Sequence, residues 1–368
     1  MTQLVSMMKM MQFFKRKPMI AGIKSAQIAI FFVALSWSMA AAVAQVVVPV
    51  SAPAPTGDGA ISVNEWLVRM HEASMKKRSY IGTLVQTSRD GMSSARIWHA
   101  CDGTSQIERI ESLTGAPRSS IRKDDRLVTF MPEAKLVRME KREGLGAGAS
   151  FSGVLKPGSN QIPDFYIVKS LGTERIAGLD ADLVQLNPRD SLRYGYRIWT
   201  ERKSALVLKL QTLDASGAIL EQAAFSELQL DAPVKVDKLK SMMKPEGGWR
   251  VEQVDVIKTT ASAEGWDLKT SVPGFRSVSC HKRGSAQAGL ASTEGATGTI
   301  QWVFTDGLAT VSLFLEAFDK ARHTQEGFAS AGATHSLFRR MNEYFLTAVG
   351  EVPPQTLRNF ATALERKK

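Results

Sequence analysis

The sequence predicts an α+β protein in which one early helix accompanies a long antiparallel β-sheet. Three observations lead to this prediction. Residues 62–73 carry one apolar stripe at helical spacing, the hydrophobic period changes to two from Tyr80 onward, and Asp-Gly pairs separate the first strand-like runs. Helical segments do not alternate with strands, which excludes a doubly wound parallel sheet. The 368 residues are enough for two domains at roughly 150 residues each.

The first 44 residues have the three parts of an export signal. Basic residues from Lys15 to Lys24 precede an apolar run over 28–42, and Ala42-Val43-Ala44 fits the small-x-small cleavage rule. The apolar run is shorter than the roughly 20 residues that a membrane-spanning helix needs. Residues 1–44 are therefore predicted to be a signal peptide cut after Ala44, with an uncleaved anchor as the alternative. In a Gram-negative bacterium the mature chain would be periplasmic, and the Pro/Ala/Gly-rich residues 45–60 would form a disordered leader.

The charge balance of the mature chain is mildly basic. The chain has 47 Lys+Arg and 36 Asp+Glu, and residues 1–44 contain five of the basic residues and none of the acidic ones. The positive excess that remains favours anionic lipids or acidic peptides and is too small to indicate a nucleic-acid-binding protein. With 44% hydrophobic residues and only two cysteines, the composition also excludes a disordered tail and a disulfide-rich miniprotein.

Residues 61–231 are predicted to form the first domain. Ser62 and Glu65 make a capping box, and the apolar residues that follow at helical spacing predict a helix that packs on a sheet. After this helix the chain consists of successive strands, with turns at Asp90-Gly91 and Asp102-Gly103. The predicted strands are 80–87, 95–101, 106–113, 126–131, 135–140, 165–170, 182–185, 194–201, 206–213 and 219–230.

Residues 232–248 are rich in Lys, Pro and Gly and are predicted to link the first domain to a second one at 249–366. Asp306-Gly307 predicts another hairpin, although residues 308–318 also fit a helical period, so strand and helix both stay open there. The other predicted elements are strands at 250–259, 266–272, 299–305 and 343–349, a loop at Gly284–Gly298, and a helix that begins at Pro353-Pro354.

Motifs for catalysis or for a cofactor are not found in this sequence. The five histidines lack His-Glu-x-x-His spacing, and there is no Gly-x-Ser-x-Gly elbow. The glycine-rich stretch 142–163 lacks the dinucleotide-binding spacing and is predicted to be a lid, a binding loop or disorder. The sequence therefore predicts no metal site, no cofactor and no enzymatic activity.

Cys101 and Cys280 would both lie in an oxidising compartment after export. They fall in different predicted domains, and a disulfide needs Cα atoms within about 7 Å of each other. Two separate, partly buried thiols are predicted, and a bridge that locks the domain arrangement is the alternative.

A binding protein is the function class that remains. A curved sheet with an apolar inner face can hold a hydrophobic ligand, and a basic rim suits acidic or phosphorylated groups. Arg118 and Arg122 lie in the sequence near the apolar Phe130, Met131 and Met139. These five residues are the predicted lipid-binding set, and the alternative is that they are ordinary core and solvated surface.

Short motifs occur along the whole mature chain. The N-terminal motifs are Trp66-Leu67-x-Arg69-Met70, Tyr80-x-Gly82-Thr83, Glu108-Arg109, Leu113-x-Gly115-x-Pro117-Arg118, Arg122 and Pro132. The C-terminal motifs are Ser312-x-Phe314, Gly332-Ala333, Gly350-Glu351-Val352-Pro353 and Thr356. In this order they resemble the MucB/RseB family of periplasmic sigma-E regulators, over about residues 62–366.

The resemblance implies both a fold and a function. The first domain would be an unclosed antiparallel β-barrel wrapped on helices, like LolA and LolB, and the second a smaller α/β domain. The protein would bind the periplasmic region of a membrane anti-sigma factor of the RseA or MucA type and shield it from the site-one protease. Lipopolysaccharide or lipoprotein acyl chains would release it. Tyr344, Phe345, Glu351 and Val352 are the predicted partner contacts, together with the linker, and a homodimer is left open.

Two other function classes stay open at this point. A LolA-type carrier of lipid or lipoprotein would share the fold and the export signal, but it would transfer cargo and leave proteolysis unchanged. A hydrolase would need a nucleophile and a base that come together from distant parts of the sequence, and the sequence displays no such pair.

Overall fold

The computed structural model describes residues 66, 68, 69, 78–101, 106–142, 162–245, 247–283 and 298–367. Most of these residues are in β-strands, and three short helices accompany them. The predicted α+β class, with a largely antiparallel sheet, is confirmed. No helix in the described ranges is long and apolar enough to cross a membrane.

Twenty strands and three helices have described bounds, and a further helical segment is described only at Trp66, Val68 and Arg69. The strands of the N-terminal half are β1 Tyr80–Ser88, β2 Gly91–Cys101, β3 Gln106–Ser112, β4 Ser119–Lys123, β5 Arg126–Met131, β6 Leu136–Arg142, β7 Tyr166–Ile176, β8 Leu179–Pro188, β9 Gly195–Glu201, β10 Val207–Leu213 and β11 Ile219–Leu230. Those of the C-terminal half are β12 Arg250–Lys258, β13 Trp266–Leu268, β14 Arg276–Arg283, β15 Thr299–Thr305, β16 Thr310–Ala317, β17 Gly327–Ala331, β18 Thr334–Met341, β19 Tyr344–Gly350 and β20 Leu364–Arg366. The helices are α1 Ile162–Phe165, α2 Val236–Ser241 and α3 Pro354–Ala363, and a 3-10 turn lies at Pro132–Ala134.

Eighteen of the strands belong to one continuous sheet. The pairings give the order β7-β8-β9-β10-β11-β1-β2-β3-β4-β5-β6-β12-β14-β15-β16-β19-β18-β17. All neighbours are antiparallel except β6 and β12, which run parallel. Within the described residues β7 and β17 each pair on one side only, so the sheet does not close there.

Two of the predicted Asp-Gly pairs, Asp90-Gly91 and Asp306-Gly307, lie between paired strands, and Asp102-Gly103 lies outside the described residues. Gly91 and Gly307 have positive φ angles of 122° and 108°, a region that glycine enters without steric cost. After Gly307 the chain continues as strand β16, in which Val311, Leu313 and Leu315 are buried alternately. The strand alternative for residues 308–318 is therefore the one adopted, because its apolar residues pack on a sheet face at period two.

One face of the N-terminal strands of this sheet holds an apolar core. Leu84, Ile97 and Ile110 on this face have no exposed surface, and they belong to one cluster with Phe225 of β11. We call it the inner face. A Cβ atom at Gly82 would lie 2.7 Å from the Phe225 ring, so only glycine lets β1 and β11 approach this closely.

The opposite face, the outer face, is covered by a helix that the sequence pattern does not predict. Helix α2 lies inside the predicted linker, and its Leu239 packs with Ala100, Ile107 and Ile121. The residues 232–245 are thus packed on the N-terminal sheet. Four lysines and two prolines are interspersed among the apolar residues of 232–245, so no apolar run is long enough to predict a helix.

The predicted N-terminal helix is described at three residues, Trp66, Val68 and Arg69, and all three are helical. Trp66 is buried and donates from Nε1 to Thr200 Oγ1 at 3.2 Å, while Arg69 lies 3.5 Å from Asp182. This part of the helix therefore packs on β8 and β9. The rest of the capping-box helix and most of the two glycine-rich loops lie outside the described residues.

Candidate functional site

Four side chains form a row across the inner face of strands β1 to β4. Tyr80, His99, Glu108 and Arg122 are paired in register from one strand to the next. The Tyr80 and His99 rings stack with centroids 5.0 Å apart. His99 Nδ1 lies 3.5 Å from Glu108 Oε2, and Arg122 lies 3.9 Å from Glu108 Oε1. Directly opposed residues are the closest side-chain neighbours in an antiparallel sheet, which brings these groups together.

Burial and mutual contact shift the pKa values in this row. Burial disfavours the charged form of His99, but its contacts with Cys101 and Glu108 prevail and raise its pKa to about 9. Burial likewise opposes ionisation of Glu108, yet His99 and Arg122 lower its pKa to about 2. Burial, with the charge of Glu108, raises the pKa of Tyr80. At neutral pH the row therefore contains two cations around one carboxylate, next to the apolar inner face.

The two cysteines are free thiols in different halves of the protein. Cys101 lies at the end of β2, and its Sγ is 3.6 Å from His99 Nε2. Cys280 is buried in the C-terminal core, where burial raises the pKa of its thiol to about 11. The prediction of two separate thiols agrees with this arrangement.

The predicted lipid-binding set is divided between the two faces of the sheet. Arg122 lies in the charged row, and strand alternation places Met131 on the same inner face. Arg118 is half-buried, and burial together with the charge of Arg138 lowers its pKa; Arg138 is on the inner face as well.

Phe130 and Met139 are on the outer face instead. Phe130 packs with the cluster around Leu239 of α2, and its ring lies 6.1 Å from that of Trp249. Met139 is opposite Val128 on the same face. The structure thus brings Arg118, Arg122 and Met131 to one surface, and it does not bring Phe130 and Met139 to it.

The predicted partner contacts lie on β19 and just after it. Phe345 is buried and stacks on His323 with ring centroids 4.1 Å apart, and Val352 has no exposed surface. Tyr344 is half-buried beside Trp266, with ring centroids 5.1 Å apart, and Glu351 is half-buried. Of these four residues a partner could contact only Tyr344 and Glu351, because Phe345 and Val352 are buried in the core.

The two halves of the protein share a buried ionic contact. Arg193, between β8 and β9, donates from Nε to Asp306 Oδ2 at 2.9 Å, and both side chains are fully buried. Tyr166 donates to the same carboxylate oxygen at 3.0 Å. The guanidinium also lies over the rings of Phe165 and Phe275, 4.4 and 5.2 Å from their centroids. Arg193 therefore joins aromatic side chains from both halves around one carboxylate.

A second contact is made by the tip of the β17–β18 hairpin. The backbone N–H of Gly332 donates to Asp90 Oδ2 at 3.0 Å, and that of Ala333 donates to Glu221 Oε2 at 3.2 Å. Gln86 donates to the other oxygen of Glu221 at 2.6 Å. Gly332 has a φ of +57°, and a Cβ atom there would lie 2.5 Å from Glu221 Oε2. Only glycine allows this close approach between the halves.

The charged row is the feature that sequence reasoning missed. Spacing along the sequence tests the histidines only as metal ligands and does not connect His99 with Glu108 or Arg122. The sequence predicts strands 95–101 and 106–113 on either side of the Asp102-Gly103 turn. If these strands pair outward from the turn, His99 and Glu108 lie near each other. The register of this hairpin is therefore the signal that could have found the charged row.

Comparisons with known proteins agree in pointing to one family. Models of the MucB/RseB N-terminal domain and the MucB/RseB C-terminal domain match residues 62–243 and 260–365. The chain is similar to the sigma factor AlgU regulatory protein MucB of Pseudomonas aeruginosa, with 26% identity over 311 residues, which cover 83% of this chain and 91% of the relative. It is similar to the sigma-E factor regulatory protein RseB of Salmonella typhimurium, with 22% identity over 307 residues, 81% of this chain and 89% of the relative.

A solved structure agrees with these sequence relatives. The crystal structure of MucB in complex with MucA(peri) superposes with a TM-score of 0.59 at 25% identity, over 83% of this chain and 100% of that chain. The matched regions span both halves of the continuous sheet. On the two domain models and these relatives, the chain belongs to the MucB/RseB family.

Proposed function

We propose that this protein binds the periplasmic region of a membrane anti-sigma factor of the RseA or MucA type. The observation that carries the proposal is the likeness to MucB in its complex with MucA(peri), because it covers the whole of that MucB chain. The relatives are named as regulatory proteins, which supports a binding function without catalysis. A cofactor forms no part of the proposal.

The consequence of binding is steric protection. A protease needs its substrate in an extended and accessible form, so a segment held on this protein is withheld from the site-one protease. The anti-sigma factor then persists and restrains the sigma-E envelope stress response. The signal peptide at residues 1–44, cut after Ala44, would bring the mature chain to the periplasm, where this partner is exposed.

Lipopolysaccharide or lipoprotein acyl chains are the proposed release signal. The inner face combines a buried apolar core with a row of net positive charge, and Arg118, Arg122 and Met131 lie on this side. A lipid could contact Phe130 and Met139 only from the outer face, which α2 covers. If lipid and partner favour different arrangements of the protein, each weakens the binding of the other by the same factor.

Calorimetry on the mature chain, residues 45–368, tests the proposal. The ligands are periplasmic segments of the anti-sigma factors of the same organism, titrated first alone and then with lipopolysaccharide or a lipopeptide present. Tight peptide binding that weakens when lipid is added is the expected result. Lipid binding without any peptide binding would favour a LolA-type carrier instead.

A protease assay separates protection from binding. The anti-sigma segment is incubated with the site-one protease with and without the mature chain, and its cleavage rate is followed. We expect the rate to fall in proportion to the bound fraction. Arg122→Ala should weaken the lipid effect and leave protection intact, and an equal loss of both would contradict the lipid role of Arg122.

A further inference from the structure

The two ends of the described sheet differ in how they are protected against another strand. The edge of a sheet presents unpaired backbone N–H and C=O groups, and natural proteins shield such edges with charges, prolines or bulges. At one end, β7 carries exposed Lys169, Glu174 and Arg175, and its register shifts between Ser170 and Gly172. That edge has the usual protection.

Strand β17, at the other end, has none of these devices. Its sequence is Gly-Phe-Ala-Ser-Ala, it pairs with β18 in unbroken register, and its first four residues are exposed. Phe328 is 41% exposed, so its ring is available for contact at this edge. Small residues on either side of it allow another backbone to approach closely.

The hairpin register shows which backbone groups point outward. The two-residue loop Gly332-Ala333 is closed by the pair Ala331 and Thr334, and hydrogen-bonded pairs alternate with non-hydrogen-bonded pairs from there. The N–H and C=O groups of Ser330 and Phe328 therefore point away from β18. Among the described residues these groups have no backbone partner.

We propose that β17 receives an extended, acidic segment of the anti-sigma partner as an added strand. The inference rests on the proposed function and specifies where the partner binds. Backbone hydrogen bonds to Phe328 and Ser330 would supply the pairing, and the exposed Phe328 ring would contact alternate side chains of the segment. The acidic character follows from Arg358 of α3, whose exposed guanidinium lies 4.7 Å from the centroid of the Phe328 ring.

A second copy of the chain fits this edge less well. Two β17 strands paired antiparallel around a two-fold axis would place both Phe328 side chains on the same face of the shared sheet. Each Phe328 carries its own Arg358, so the pairing would bring two guanidinium groups together on one face. Like charges that lie close together repel each other, whereas an acidic segment would neutralise the arginine.

Ser330→Pro is the test variant, and Ser330→Thr is its matched control. Proline at 330 removes one outward N–H and places a ring at the edge, while it leaves the ladder to β18 untouched because that N–H does not face β18. Threonine keeps the N–H. With full-length mature protein and the anti-sigma segment, we expect Ser330→Pro to weaken binding about tenfold or more and Ser330→Thr to leave it within about twofold. Arg358→Glu should also weaken binding, more so at low salt than at high salt.

The outcomes separate this inference from the proposed function. If wild-type protein binds none of the segments, both fail. If wild-type protein binds and Ser330→Pro binds equally well, the edge-strand inference is overturned and the proposed function stands. If Ser330→Pro changes a dimer to a monomer in sedimentation without any loss of peptide affinity, the edge serves a second copy, and the inference is again overturned.

Hydrogen exchange on the wild-type protein keeps the inference testable if Ser330→Pro does not fold. The amides of residues 327–331 should exchange more slowly when the anti-sigma segment is bound, because Phe328 and Ser330 would then donate to a partner strand. The β7 edge, residues 166–176, serves as the internal reference and should not change. Unchanged exchange at 327–331 with saturating segment overturns the inference.

Discussion

The buried pair of Arg193 and Asp306 is the place where loss of one side chain should destabilise this protein most. Both side chains have no exposed surface, and Asp306 also accepts from Tyr166. Arg193→Met keeps a long apolar stem beside Phe165 but leaves the carboxylate buried without its cation. Breaking a buried ion pair from one side costs about 3–5 kcal/mol. We expect the free energy of unfolding of Arg193→Met to fall by an amount of that order.

The chain contains a matched control for this variant. Arg322 Nε and Asp319 Oδ2 are 2.8 Å apart, the same pair of atoms at nearly the same distance as in the buried pair, but the two side chains are 59% and 43% exposed. Water solvates and salt screens an exposed pair, so it contributes little. Arg322→Met should therefore leave the unfolding midpoint unchanged.

Urea unfolding, followed by tryptophan fluorescence, measures the free energy of unfolding of the wild type, of the single variants Arg193→Met, Asp306→Asn and Arg322→Met, and of the double variant Arg193→Met with Asp306→Asn. The double variant should recover part of the loss, since no unpaired charge is left buried. Equal losses in Arg193→Met and Arg322→Met would refute the reasoning. A double variant that loses the full sum of its two single losses would refute it as well.

Four other perturbations have definite expected outcomes. Gly332→Val should lower the free energy of unfolding, because a Cβ atom at 332 would overlap the Glu221 carboxylate of the N-terminal half. The control Gly217→Val has open space around its Cβ atom and should lower the free energy of unfolding less. Stability should fall as the pH rises from 6.5 to about 9, because the pKa of His99 is raised to about 9 in the folded protein and its stabilising charge is lost over that range. His99→Gln should flatten this slope in urea titrations, and an unchanged slope would exclude His99 as its cause. Stability should also fall below pH 4.5 as Glu108, with its pKa lowered to about 2, takes up a proton. With a thiol reagent at pH 8, mass spectrometry should find Cys101 labelled before Cys280, whose pKa is raised to about 11.

Local pattern was enough to predict most strands and turns of this fold. In β16 the alternation of Val311, Leu313 and Leu315 matches a sheet face, and the Asp-Gly pair before it enters a backbone region that favours glycine. Both signals lie within a few residues of the feature that they predict. Helix α2 was missed because it is only six residues long, too short for helical periodicity to emerge from a lysine-rich stretch.

The candidate site was harder to predict because it depends on register and on distant contacts. Arg122 and Phe130 are close in sequence, yet strand alternation puts them on opposite faces of the sheet. Arg193 meets a carboxylate 113 residues further along the chain, and nothing local encodes that encounter. The parallel pairing of β6 with β12 is non-local in the same way. A grouping of residues by sequence proximity therefore mixed core residues with inner-face residues.

The β17–β18 hairpin connects the proposed partner edge to the sheet that would hold lipid. Its free edge is β17, while its tip donates hydrogen bonds to Asp90 and Glu221. Glu221 lies on β11, which pairs with β1 at the inner face. A ligand that spreads β1 from β11 would therefore displace the acceptors of the hairpin tip and shift the edge strand with them. If this is how lipid weakens partner binding, Gly332→Val, which disrupts the tip, should make partner affinity less sensitive to lipid. Because coupling between two ligands is reciprocal, the same variant should make lipid affinity less sensitive to the partner by an equal factor, and calorimetry in both orders of addition measures the two effects independently.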